Sequence, residues 1–504
     1  MGALSETTFT FQTSATVEHR RQTSILTWML WFLFVLGACI YLGQAMVASA
    51  PNPSFIAWLL FFTGIAVILY QPRYGIYLIV FLSLVGDKVL VPSYPFYLNF
   101  SSRESLLYLD QRLITSPLEV YLMLTLLSWF VRCAILRKLH FQKGELFWPM
   151  LIFMAFVVFG MVYGLGRGGN LNIGLWEARP IFYLPFMMVL AGNLITERDH
   201  VITLMGLVVA ALFIEGWLGI SYYFSTIKGN PGIDAAAVME HSAPVHMDSL
   251  FVFCLALWLY QGPLKARLLT LLMGLPVIFT FLITQRRAAF LALLFALILM
   301  AFLLYKQNQT TFWIVVPALI LVFSLYLIAF WNNSGTLGIA ARAIKSQVAP
   351  EQASLRDQRS DNYRLIENYD IRYTIRQYPM TGVGFGQMFI MAIPLPDISF
   401  FVWYRYITHN SIGWIWMKTG AGGFIAMLFL VGLSIMTGLR AVFRIRDGVM
   451  RATILTATLY ILMHFLYAYV DMSWDSQSMV YLGTMMGLIG SIEMVLGVQG
   501  YDNR

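Results

Sequence analysis

The sequence predicts an all-α polytopic membrane protein of about 14 (12–14) transmembrane helices, with a large, partly helical loop outside the membrane. Three observations predict it. Only 12% of the 504 residues are charged, half the share of about a quarter found in a soluble domain. Hydrophobic residues make up 59%, and the mean hydropathy is +0.71. The apolar residues also fall in long runs, and about 20 apolar residues in a helix cross the hydrocarbon core.

The runs lie roughly at 25–47, 54–70, 73–91, 117–136, 147–165, 180–195, 201–224, 248–261, 268–284, 287–305, 311–331, 410–437, 450–470 and 478–497. The first follows a polar tail, is too long for the apolar core of a signal peptide and lacks a small-residue cleavage site, so it reads as a retained span. The run 248–261 is short, and those at 268–284 and 287–305 are joined by two residues. Aromatic residues, 15% of the chain, suit spans anchored at both interfaces.

Charge sets the orientation. With the N-terminus inside, the inner connections hold Arg20 and Arg21; Arg73; Arg132, Arg137, Lys138 and Lys143; Arg198; Lys265 and Arg267; Lys306; and Arg440, Arg444, Arg446 and Arg451. This obeys the positive-inside rule, and both termini are expected in the cytoplasm. The organisation is then a cytoplasmic tail over 1–24, eleven spans over 25–331, a large outer loop over 332–405, three spans over 406–497 and a short tail over 498–504. The eight Lys and Arg of the large loop do not oppose this, because long loops escape the charge rule. The net charge of +8 reflects basic loops rather than a nucleic-acid partner. Cys39, Cys133 and Cys254 form no CxxC pair and suggest neither zinc nor a disulfide framework.

The outer loop carries the candidate chemistry. From Arg356 to Tyr378 it reads as a helix, with Tyr363, Ile366, Tyr369 and Tyr373 spaced along one amphipathic face. Arg364, Arg372 and Arg376 fall on one stripe. Such a stripe offers paired planar donors to phosphate oxygens; it equally suits a solvated face with Asp361, Glu367 and Asp370 as partners. Pro379 ends the helix, and Gly382, Gly384 and Gly386 follow in a turn that admits close backbone approach. His409-Asn410-Ser411 opens the next span at its outer end. A histidine there is either a general base or an interfacial residue. Gly420 to Gly423 lie inside that span, where small residues commonly serve helix packing. Arg286 and Arg287 sit in the tight outer turn between two spans. Cations so near hydrocarbon are costly and suggest function, although snorkelling to the interface also accommodates them.

An outer-turn arginine pair, a loop arginine fifteen residues before Pro379, the glycine turn, and His409-Asn410 followed after nine intervening residues by Gly420-x-x-Gly423 come in a set order. That order resembles the bacterial O-antigen ligase and polymerase family over roughly residues 268–440. The family includes ligases that transfer O-antigen to lipid A–core, polymerases that extend repeat-unit chains, and protein O-oligosaccharyltransferases.

The resemblance implies a GT-C-like membrane fold with an outer-face cavity in the bacterial cytoplasmic membrane. It implies an undecaprenyl-diphosphate-linked glycan donor, a glycan or lipid acceptor, and a metal-independent, inverting transfer without cofactor. A polymerase would have a chain-length regulator as a further partner. By resemblance His409 is the base for the acceptor hydroxyl, and Arg287 and Arg364 hold the diphosphate. The family commonly has Ser before the turn arginine; here Arg286 stands there, either as a second cation or as the ligand itself. Arg179, in a Glu-Ala-Arg-Pro segment before the sixth span, is a further candidate for the cavity. The competing reading is a transporter or flippase of lipid-linked sugars. It would place ionisable residues near mid-membrane, where the predicted spans offer mainly Glu215 and Lys418.

Overall fold

The computed structural model describes residues 53–85, 115–135, 141–230, 238–333, 338–349, 355–396 and 403–497. The predicted span 25–47, both terminal tails and most of the outer loop before 116 lie outside the described residues. The chain divides into two compact units, residues 1–63 and 64–504. Of the first, only the start of one helix is described.

All regular structure among the described residues is helical. The helices are α1 (Pro53–Tyr70), α2 (Arg73–Val85), α3 (Pro117–Ile135), α4 (Phe147–Gly166), α5 (Leu171–Leu194), α6 (Arg198–Tyr222), α7 (Ala243–Leu259), α8 (Leu264–Thr284), α9 (Arg287–Gln307), α10 (Gln309–Phe330), α11 (Ile339–Val348), α12 (Leu355–Gln377), α13 (Ser411–Arg444), α14 (Gly448–Ala468) and α15 (Ser476–Gly497). Every predicted apolar run from 54–70 onward falls on a helix. Among the described residues nine helices are long and apolar enough to cross a membrane: α3 to α6, α8 to α10, α13 and α14.

Local sequence fixes where several helices begin. Asn170, Asn308, Asn410 and Asp447 each accept a hydrogen bond from a backbone N–H of the first turn they precede, satisfying donors that a helix start leaves unpaired. Packing then sorts the helices. The apolar stretch of α14 is 78% buried, whereas no residue of that of α10 is buried. So α14 forms the core of the bundle, and α10, with Trp313, Ile314, Leu319, Ile320 and Ile328 uncovered, presents the kind of surface lipid must cover.

One boundary differs from expectation. The sixth span, predicted at 180–195, begins at Leu171, so Glu177 and Arg179 lie inside α5 rather than in a segment before it. Their charges lower the local hydropathy and hide the helix start. The fold neutralises both: Glu177 meets Lys418 Nζ at 2.8 Å with both side chains fully buried, and Arg179 forms a two-pronged ion pair with Glu119.

Candidate functional site

The amphipathic loop helix forms within a residue of its predicted bounds, as α12, and Pro379 follows its end. Its buried face is not the predicted one. Tyr369 and Tyr373 are exposed, and Glu367, Asp370, Ile371 and Thr374 are buried. The spacing is still that of one helix face, but most of its members are polar, because their partners are polar. Asp370 Oδ1 accepts the Ile393 N–H at 2.9 Å, and the Thr374 hydroxyl accepts the Ile390 N–H at 2.9 Å. A tyrosine stripe is the stronger hydrophobic signal in the sequence, but the hydrogen-bonding capacity of the adjoining loop decides the outcome.

The glycine turn plugs into the bundle. Val383 N–H donates to Met417 O at 2.7 Å, Phe385 N–H to Gly160 O at 3.1 Å, and Gly386 N–H to Glu177 Oε2 at 2.6 Å. Gly384 has φ +88°, and a Cβ there would stand 2.4 Å from the Gly164 Cα, so only glycine fits. On the opposite wall, Gly420 breaks α13 with φ 73° and ψ −177°. A Cβ there would meet the Met380 carbonyl at 2.0 Å. Gly420 thus opens α13 to receive the turn. Gly382 packs against the Met417 carbonyl and Gly423 against Thr419 and Phe156.

This seating brings α12 across the start of α13. His409 donates its backbone N–H to Glu367 Oε2 at 3.0 Å, and its Nδ1 lies 3.2 Å from both Glu367 oxygens. Glu367 is 1% exposed and the His409 side chain 31%. The carboxylate therefore holds the ring from one side. With the proton on Nδ1, the Nε2 lone pair is left for a reaction partner, and Nε2 has no partner among the described residues. Asn410 completes the frame, donating to Asn368 Oδ1 at 2.7 Å. Tyr363 sets its ring edge-on to His409 at 5.4 Å between centroids.

The arginines gather around a second carboxylate, Asp471, in the α14–α15 turn. Arg286 Nη1 donates to Asp471 Oδ2 at 3.3 Å, Arg364 Nη2 lies 3.6 Å from the same oxygen, and His241 Nδ1 lies 3.1 Å from Oδ1. Burial works to raise the Asp471 carboxyl, but the His241 hydrogen bond and charge, then Arg286 and Arg364, override it and hold the group well below the usual carboxylate range. Two guanidiniums share this one carboxylate, so the cluster keeps an uncompensated positive charge. Arg287 pairs instead with Asp361, donating Nη1 at 3.1 Å to a side chain that is 44% exposed. An ion pair so accessible to water exchanges cheaply for a better anion. His241 joins the two groups, with its ring 6.3 Å from that of His409.

The remaining candidates lie apart. Arg372 and Arg376 are exposed, with Arg372 Nε turned back to Asn368 O at 3.1 Å. They share the stripe with Arg364 but stand roughly 12 and 18 Å further along the axis. Arg179 is occupied by Glu119 and stacks on Trp176 at 5.7 Å. In the other direction, the partnership of Glu367 with His409, the anchoring role of Asp471, the place of His241 and the seating of the glycine turn on Glu177 were not readable in advance. The sequence signals that bear on them are two carboxylates, Asp471 and Asp475, close together after the run 450–470, and Glu240, His241 and His246 clustered in the connection before the run 248–261.

Beside this constellation lies a cavity of about 240 Å³. Its walls are Trp176, Glu177 and Pro180 of α5; Glu240 and His241; Ile407, Thr408, Ser411 and Trp414 around the α13 start; and Met472, Trp474, Asp475, Ser476 and Gln477. Burial pushes the Asp475 carboxyl up, against hydrogen bonds from Ser242 and Ser478. Among the described residues no three His, Cys, Asp or Glu side chains converge as a metal-ligating group.

Residues 269–428 match the family model described as O-antigen ligase. This stretch is similar to an O-antigen ligase domain. It takes in the Arg286–Arg287 turn, α12, the glycine turn, His409 and the α13 break, whereas His241 and Asp471 come from either side of it. The ligase domain supports a function of the O-antigen ligase or polymerase type in surface glycan biosynthesis, with a lipid-linked glycan donor and a glycan acceptor. With the apolar helices it points to a multi-pass protein of the inner membrane. A comparison with curated proteins gives no match.

Proposed function

We propose that the protein is a membrane glycosyltransferase, working at the outer face of the bacterial cytoplasmic membrane with both termini in the cytoplasm. It moves or polymerises an oligosaccharide from an undecaprenyl-diphosphate-linked donor onto a glycan or lipid acceptor hydroxyl. One observation carries this reading: a carboxylate-held histidine, its other ring nitrogen without a partner among the described residues, stands beside an arginine cluster of net positive charge, in a chain with a ligase-type match.

The chemistry follows from that juxtaposition. His409 Nε2 takes the proton of the acceptor hydroxyl. The oxygen attacks the anomeric carbon from the face opposite the diphosphate, inverting it, and the bond to the diphosphate oxygen breaks. Negative charge grows on the leaving group, and Arg364, Arg286 and Arg287 stabilise it without a metal ion. Asp471 and Asp361 hold these guanidiniums in place until the diphosphate displaces them. Glu367 positions the base. A transporter would need a mobile charge along its path; Lys418, a cation inside a span, is instead locked to Glu177 and to the Gln387 carbonyl at 2.6 Å. Ligase and polymerase share every step and differ in the acceptor.

The test is transfer by the purified protein, given an undecaprenyl diphosphate oligosaccharide with EDTA present. The wild type is expected to lengthen chains or modify a lipid acceptor. Arg364→Ala should lose about a hundredfold in rate, as removal of one charge-stabilising donor does. Movement of intact donor across liposomes with no transfer would overturn the reading in favour of transport. A second expected result concerns Glu367. Glu367→Gln should lower kcat at least about tenfold with the donor KM unchanged, and Glu367→Asp should restore part of it. An equal rise in KM would mean that Glu367 supports the loop rather than the base.

A further inference from the structure

The proposed transfer uses Arg364 and Glu367 of α12 and leaves the other side of that helix unexplained. Leu365, Tyr369, Arg372, Tyr373 and Arg376 fall within an arc of about 100°. Leu365 is 67% exposed, Tyr369 48% and Tyr373 36%, and both arginines are exposed. The buried side carries Glu367, Asp370 and Thr374. A helix that faces water has the opposite arrangement, with polar residues outward and apolar ones inward. No acidic residue stands in the exposed arc.

The helix lies at the height where spans end. Near its start Asp361 pairs with Arg287, the first residue of α9. After its end the Pro379 carbonyl accepts the Ala421 N–H at 3.0 Å and the Trp416 indole N–H at 3.1 Å. Arg167, which caps α4, stacks on the Tyr378 ring at 4.8 Å. The helices α4, α9 and α13 are all long and apolar enough to cross a membrane, so both ends of α12 are fastened to the ends of spans. The helix it packs on, α13, is itself peripheral. Ile425, Phe429, Met436 and Phe443 of α13 are uncovered, as is Met380 beside the Gly420 break.

Tyrosine and arginine suit that height. Tyr places an apolar ring among the upper acyl carbons and its hydroxyl in water, and Arg divides its stem and guanidinium in the same way. A helix with an apolar, aromatic face and basic residues beside it binds in the plane of the interface. Lipid phosphates are anionic, and the arc carries two cations and no carboxylate, so the charges match. We propose that the outward arc of α12 is docked in the phospholipid headgroup layer of the leaflet on the site side. Leu365, Tyr369 and Tyr373 lie among the upper acyl carbons, and Arg372 and Arg376 lie on lipid phosphates. The docking does not depend on the transferase reading. Its consequence does: Arg364, on the same helix, is then held at the height where the diphosphate of a lipid-linked donor lies.

The test uses the full-length protein in nanodiscs of phosphatidylethanolamine and phosphatidylglycerol. With Cys39, Cys133 and Cys254 changed to Ala, an NBD fluorophore is attached at Tyr369→Cys. The lipid-facing reference is Ile328→Cys, near the end of α10 and uncovered. Lipids with a doxyl group near the headgroup are expected to quench both positions, and acrylamide in the water to quench position 369 little. Arg372→Gln with Arg376→Gln should lower the ratio of lipid to water quenching at position 369 about fivefold for each arginine, as loss of a basic residue near an anionic surface does. Position 328 should not change, whereas a misfolded variant would move both. Strong quenching by acrylamide with none from the lipid overturns the docking and leaves the arc to a soluble partner. A reporter reached by neither quencher means that another part of the chain covers the arc, and overturns it as well. Lipid quenching that the arginine changes leave untouched overturns the phosphate contacts.

Discussion

His409→Ala is expected to reduce glycan transfer by about a hundredfold or more, the usual contribution of a positioned general base. The loss should fall on kcat, with the donor KM little changed, because the guanidiniums that hold the diphosphate are supported independently of the imidazole. Arg286 and Arg364 rest on Asp471, and Arg287 rests on Asp361. None of the three touches His409. A rise in donor KM of the same size as the loss in rate would place the histidine in donor binding instead. His241 supplies the control. Its Nδ1 lies 3.1 Å from both Asp471 Oδ1 and Arg286 Nη1, so His241→Ala should disturb the arginine cluster and raise the donor KM. If His241→Ala removed kcat and His409→Ala did not, the two roles would have to be exchanged.

Lys418→Met is expected to be the most damaging substitution to stability. Lys418 and Glu177 are both buried, with neither side chain exposed. Removing one partner of such a pair strands the other charge and costs about 3–5 kcal/mol. The damage should spread to the site, because Glu177 also anchors the Gly386 N–H and Lys418 the Gln387 carbonyl. The thermal midpoint in detergent should drop by several degrees, and transfer should be lost with it. The double variant Glu177→Gln, Lys418→Met removes both charges while Gln keeps an acceptor for Gly386. It should recover most of the midpoint. A double variant as unstable as Lys418→Met would show that the lysine acts through its carbonyl contact rather than through the ion pair.

How much of this was legible in the sequence depends on the distance over which the cause acts. Helices across the membrane were readable because lipid dictates a local pattern: a run of apolar residues satisfies both the solvent and its own backbone. The ends of α12 were readable because Pro379 and the periodicity are local too. The candidate residues were readable by type and order, and the structure brings His409, Arg364, Arg286 and Arg287 into one region. Their partners were not. Glu367 lies 42 residues from His409, and Glu177 is 241 residues before Lys418; nothing in either neighbourhood announces the other. The stripe of Arg364, Arg372 and Arg376 shows the limit most plainly. Angular position on a helix was correct for all three, but only Arg364 sits at the height where Asp471 waits. Arg179 looked like a spare cation because its partner, Glu119, is on another helix.

The broken backbone at Gly420 has a mechanical consequence. Unbroken, the 34 residues of α13 would make a rod about 51 Å long, far beyond the ~30 Å hydrocarbon core. Residues 421–444 alone reach about 36 Å, enough to span. Thin or thick lipid would tilt a single rod and swing its tip through several ångströms. The joint at Gly420 lets the spanning piece follow the bilayer, while the short piece that carries His409 stays registered to the loop that grips it.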